Sequence, residues 1–190
     1  MKQDRDIDIK RLVALIRMKP SSDEESAEIL IEIEEVLGES NIAKAFYRQF
    51  TLLHFAVTQS NDADHSLAVV RLFLKYGANL NQAAVDKVKP TPLHSAVRRL
   101  LPKMTELLLG RGANITVRDY DLKTQTPNKT PLNYAQSKHF LDSGMADRQL
   151  KILELLENEM TSRASSSSLF NFGVGTFIMS FIPSNLYKMT

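Results

Sequence analysis

Apolar residues recur along this chain in pairs of short runs at helical spacing, and the same polar punctuation brackets each pair. In the middle, Thr91-Pro92-Leu93-His94-Ser95-Ala96 opens a first run. Thr91 can cap a helix through its hydroxyl. Pro92 then takes the first helical position, where a missing N–H costs nothing. Leu93 and Ala96 share one face. A second run holds Met104, Leu107, Leu108 and Leu109, and Gly112-Ala113-Asn114 closes it. Gly112 sits where a helix ends in a left-handed turn that only glycine enters cheaply. Upstream, Thr51-Leu52-Leu53-His54-Phe55-Ala56 leads to Val69, Val70, Leu72, Phe73 and Leu74, closed by Gly77-Ala78-Asn79. Downstream, Thr130-Pro131-Leu132-Asn133-Tyr134-Ala135 leads to Ile152, Leu153, Leu155 and Leu156. The three starts are 40 and 39 residues apart. Self-similarity at such a period predicts stacked helix–turn–helix units in an all-α chain.

These residues resemble the ankyrin repeat family, whose repeat reads Thr-Pro-Leu-His-x-Ala, then a Val- and Leu-rich second helix, then Gly-Ala, with a period of about 33 residues. The unit from Thr91 to Gly112 carries that spacing without insertion. Extra residues elsewhere lengthen the period, at the polar turn from Gln59 to Asp64 and in the connector from Gly112 to Thr130. Leu52 stands where the family has Pro, Asn133 where it has His, and the last unit lacks Gly-Ala. The resemblance implies a solenoid with short β-hairpin connectors, and a concave face lined by those hairpins and the first helices. It also implies that His54 and His94 are structural posts tying one repeat to the next. The expected organisation is an N-terminal helical region over 1–50, repeats over 51–90, 91–129 and 130–160, and a C-terminal stretch over 161–190.

The N-terminal region patterns as two helices. Ile9, Leu12, Val13, Leu15 and Ile16 form one apolar face, Pro20 ends that helix, and Ser22 with Glu25 reads as a capping box before Ile29, Leu30, Ile33, Val36 and Leu37. It reads as a divergent first repeat closed by Gly38, since terminal repeats are atypical. The alternative is that 42–50 forms a third helix. At the other end, Ser162–Ser168 reads as a polar linker. The run from Leu169 to Ile182 is too short for a membrane span of roughly 17 to 25 residues. Its expected roles are docking on the last repeat, disorder, a membrane-surface contact or an export signal.

Charge is divided unevenly. Residues 1–40 hold eleven acids and six bases, whereas 75–130 hold ten bases and four acids. Lys87, Lys89, Lys123 and Lys129 fall in connectors with Tyr120, and Arg98 and Arg99 end a first helix. These seven residues are the candidate partner-binding set, and their charge suits an acidic protein. They are too dispersed for the continuous basic, aromatic-lined track that nucleic acid needs.

Catalytic chemistry is not legible. No carboxylate or nucleophile recurs at a fixed offset from His54 or His94. His65 near Asp62 and Asp64 reads as a capped interhelical turn rather than a metal site, and His139 is isolated. The chain has no Cys, so no disulfide, thiolate zinc site or thiol nucleophile. No phosphate-cradling glycine loop occurs. The expectation is a monomeric, non-catalytic protein-binding module without cofactor, in the cytoplasm. Two other readings stand beside it. One is an effector exported by an intracellular bacterium into a host cytosol, with the acidic, serine-rich C-terminal region as its signal. The other is the substrate-recruiting arm of an enzyme complex.

Overall fold

A computed structural model describes residues 8–38, 46–47, 49–61, 63–124, 126–137 and 143–168. His139 and the apolar run from 169 to 182 lie outside them. Eight helices and one hairpin follow in order: α1 (Ile9–Arg17), α2 (Asp23–Leu37), β1 (Phe46–Tyr47), β2 (Phe50–Thr51), α3 (Leu52–Gln59), α4 (Asp64–Lys75), α5 (Pro92–Arg98), α6 (Pro102–Gly110), α7 (Pro131–Gln136) and α8 (Ser143–Ser168). They form four helix pairs. First helices α1, α3, α5 and α7 pack in sequence, as do second helices α2, α4, α6 and α8. One core therefore runs the length of the array through Leu12, Ile33, Leu53, Phe73, Leu93, Leu108, Ile152 and Leu156. This is the helical repeat solenoid that the spacing predicts.

Local chemistry sets the ends of these helices. Asp8 caps α1 by accepting the Arg11 N–H at 3.0 Å. Ser22 accepts the Glu25 N–H at 3.1 Å. Glu25 reaches one residue further back than a capping box requires, accepting the Ser21 N–H at 2.6 Å. Gly77 and Gly112 close α4 and α6 at φ +82° and +85°, with open space around each.

Two expectations are corrected. A third helix over 42–50 is excluded where residues are described, because Phe46 pairs with Thr51 and Tyr47 with Phe50 in a tight antiparallel hairpin. Thr51 is then already extended and caps α3, accepting the His54 N–H at 3.0 Å. The serine-rich stretch is not a linker, because α8 continues through it. Serine weakens a helix only modestly. Ser165 bonds back to the Thr161 and Ser162 carbonyls, and Arg163 anchors the turn by donating to the Ala113 carbonyl at 2.9 Å.

Histidines join successive pairs. His54 Nε2 lies 2.6 Å from Ser95 Oγ of the next unit. His94 Nδ1 accepts the Thr91 N–H at 3.2 Å, and its Nε2 donates to the Lys129 carbonyl at 3.1 Å. Both rings are fully buried. Burial first, then the repulsion that a protonated His94 would exert and the charge of Arg98, lower the His54 pKa to about 4. Burial also lowers His94, against the opposing pull of the Lys129 carbonyl and Asp119.

Two predictions follow from this geometry. Gly112→Val forces a β-branched residue into a left-handed turn, a strain of about 1–2 kcal/mol or more. Gly110 has an ordinary helical backbone and open space, so Gly110→Ala is neutral or stabilising. Thermal melts should rank Gly112→Val well below Gly110→Ala, and equal melting temperatures would refute the turn assignment. The second prediction concerns pH. A His54 held neutral in the fold contributes stability that is fully present above about pH 6.5, the ordinary histidine value. That contribution fades as the pH falls toward about 4, since the unfolded chain binds the proton first. The loss is about 3 kcal/mol. Denaturant titrations between pH 7 and 4 should show it, and a flatter profile is expected for His54→Gln.

Candidate protein-binding surface

The connectors between helix pairs lie side by side because their backbones bond to one another. Gln49, in the β1–β2 turn, accepts the Val85 N–H at 2.7 Å. Val88 accepts the Tyr120 N–H at 2.8 Å. Three successive tips are thereby stitched into one row. Within the last, Asp119 and Lys129 face each other across an antiparallel pair that includes a Tyr120–Pro127 bridge.

Most of the candidate residues collect along this row. Lys87 and Lys89 are exposed on the second tip. Lys89 has a positive φ of 48°, and Asp86 steadies that turn by accepting its N–H at 2.7 Å. Its ammonium sits 4.7 Å from the Tyr120 ring centre on the next tip, a cation–π contact that links two connectors. Lys123 is exposed at the third tip, where Asp121 accepts the Lys123 and Thr124 amides at 2.8 and 2.9 Å. Those backbone bonds hold the Asp121 carboxyl below its ordinary pKa. Arg98 and Lys129 converge on Tyr134, at 5.5 and 5.3 Å from its ring centre. Arg99 does not join them. Its guanidinium donates to the Ser60 carbonyl at 3.1 Å, in the α3–α4 turn.

The repeat-signature residues lie beneath this surface. Thr51, Thr91 and Thr130 begin α3, α5 and α7; Pro92 and Pro131 take the first positions of the latter two. At Thr130 the partner is Asn133, whose side-chain oxygen accepts the Thr130 N–H at 3.1 Å.

Three contributors escape a sequence reading. Val85 and Leu122 are 67% and 63% exposed at the second and third tips. Val85 lies two residues before Lys87 and Leu122 directly before Lys123, both outside any helical periodicity, and that mismatch was the available signal. Asp119 is the third. It is fully buried, accepting the Lys129 N–H at 2.8 Å and the Tyr134 hydroxyl. Burial first, then the bond to Asp119 and its negative charge, push the Tyr134 phenol up to about 12. Nothing in the local sequence pairs residues 119 and 134. Among the described residues, no group of three or more His, Asp or Glu side chains could hold a metal ion. No helix among them is long and apolar enough to cross a membrane.

Tyr134 thus presents a ring flanked by two cations while its hydroxyl satisfies a buried carboxylate. Tyr134→Phe leaves one Asp119 oxygen unpaired, which should cost about 1–3 kcal/mol. Chemical denaturation checks this, and wild-type stability in the variant would show that the bond contributes nothing.

A family model for ankyrin repeats, in three copies, matches residues 18–119, more than half of the 190 residues. It covers α2 through α6 and stops within the third connector, before α7 and α8. No curated protein matches the chain. Ankyrin repeats are generally protein–protein interaction modules and typically non-catalytic. On a match of this extent, the chain belongs to the ankyrin repeat family.

Proposed function

We propose that the chain is a non-catalytic protein-binding module that engages an acidic partner along its row of connector tips and the adjoining first-helix ends. The observation that carries this reading is the stitching of successive connectors by backbone hydrogen bonds. Tips tied to one another are ordered before a partner arrives, so binding does not bear the cost of ordering loops. The row presents Lys87, Lys89 and Lys123 around the exposed aliphatic side chains Val85 and Leu122, with Tyr120 between the tips. Aliphatic and aromatic side chains supply buried contact, and the cations speed encounter and set specificity. The acids of these tips, Asp86 and Asp121, are turned onto backbone amides.

The test begins with affinity capture by the wild-type chain and identification of the bound protein by mass spectrometry. A Lys87→Glu, Lys89→Glu, Lys123→Glu variant is then measured against the purified partner. The three side chains are exposed, so Lys87→Glu and Lys123→Glu should each alter stability by no more than about 0.5 kcal/mol, and Lys89→Glu, which gives up its contact with the Tyr120 ring, by about 0.5–1 kcal/mol. Affinity should fall at least about tenfold, and the dependence on salt should weaken or vanish. A folded variant with unchanged affinity and salt dependence would remove this row as the binding surface.

A further inference from the structure

On the opposite side of the array, the second helices carry a different pattern. The outer stripe of α2 is Glu24, Ala27, Glu28, Ile31 and Glu35, all exposed, and Ile31 is 59% exposed among three carboxylates. Beside it, between α2 and α4, runs a groove of about 640 Å³. Leu30, Ala68 and Leu72 line its floor, Ile31 and Glu34 line its α2 side, and Arg71, Lys75 and Arg111 line the other. Lys75 is held by Glu34 at 2.6 Å. Arg71 and Arg111 are exposed and make no ion pair among the described residues. The two helices run in the same direction, since Ser26 meets His65 at one level and Glu34 meets Lys75 at another. Ile31 therefore stands near the level of Arg71, with Glu28 and Glu35 about a turn to either side.

We propose that this groove is the interface of a two-fold homodimer in which the acidic α2 of each copy lies over the basic α4 of the other. A second copy of the chain supplies what the groove asks for: an acidic helix with one protruding aliphatic side chain, and a basic wall to receive the acidic one. The sign of the charges also selects the symmetry. A two-fold axis along the groove exchanges its walls, so both pairings are acid on base. An axis across the groove stacks α2 on α2 in antiparallel fashion, which sets Glu28 against Glu35 and is repulsive. In the favoured arrangement the two Ile31 side chains meet near the axis, over Ala68 and Leu72. Helices of 15 and 12 residues span only about 22 and 18 Å. The face is thus at the small end of specific interfaces, where association is weak and transient. The contact is independent of the connector row.

Sedimentation velocity of the full chain at low salt, from about 5 to about 500 μM, tests it. The wild type should pass from monomer to dimer, and Ile31→Glu should stay monomeric throughout. Arg71→Glu with Arg111→Glu, and Glu28→Arg with Glu35→Arg, should each be monomeric alone. An equimolar mixture of the two variants should dimerise, because the mixed pair restores both acid–base contacts. Circular dichroism verifies that each variant is folded, and the charge-swap pair stands by itself if Ile31→Glu is not. A wild type that stays monomeric overturns the proposal. So does association that survives Ile31→Glu, which would place the contact elsewhere, for example on the 169–182 run. Folded swap variants that fail to associate on mixing also overturn it.

Discussion

The array depends on a histidine that performs two tasks with one ring. His94 Nδ1 accepts the Thr91 amide and fixes where α5 begins, while Nε2 donates to the Lys129 carbonyl, one residue before α7 is capped. Only a neutral imidazole offers one donor and one acceptor. The burial that depresses its pKa is therefore also what keeps the tie intact. A helix pair this short cannot bury its apolar face alone. The tie sets the register in which neighbouring faces meet, and it carries that register from the start of one first helix to the start of the next.

The departures from the family pattern follow from the same division of labour. Asn133 replaces histidine, yet its oxygen accepts the Thr130 amide as an imidazole would. What it lacks is a second polar atom opposite the first, able to reach a following connector. The α7–α8 pair is the last among the described residues, so position 133 there has only the capping role to fill. At Leu52, where the family has Pro, the N-cap threonine already belongs to β2. The hairpin fixes the extended entry to the helix, and a proline is not needed to do so.

The periodic parts of the fold were legible because they rest on local chemistry. Thr91 with Pro92 marks a helix start, Gly77 and Gly112 mark ends, and Val70, Phe73 and Leu108 mark faces. The parts that were not legible rest on competition between effects. Leu100 adopts φ +55° in the α5–α6 turn, a position where glycine would be expected. The strain costs about 1–2 kcal/mol, and burying a leucine returns about 1.5–3 kcal/mol. Leu100 is 6% exposed, so packing outweighs backbone preference. Of the candidate site, the lysines could be named from charge alone, but their arrangement could not. Whether Arg98 joins Lys129 at Tyr134 while the adjacent Arg99 turns to Ser60 is decided by tertiary placement that no local pattern encodes.

The two sides of the array differ because helix pairs expose different things. The connector side shows backbone polar groups, which must be satisfied. They are satisfied across neighbouring tips, from Gln49 to Val85 and from Val88 to Tyr120, and this makes the tips a continuous platform for side chains. The second-helix side has no free backbone to pair, since helices satisfy their own. What it exposes is set by side-chain stripes, and on α2 and α4 those stripes carry opposite charge about a shared apolar floor. A row of tied loops suits a partner that reads several tips at once. A two-walled groove of opposite charge suits a copy of itself. Both surfaces arise from one repeated unit, and because they lie on separate elements, occupying one leaves the other open.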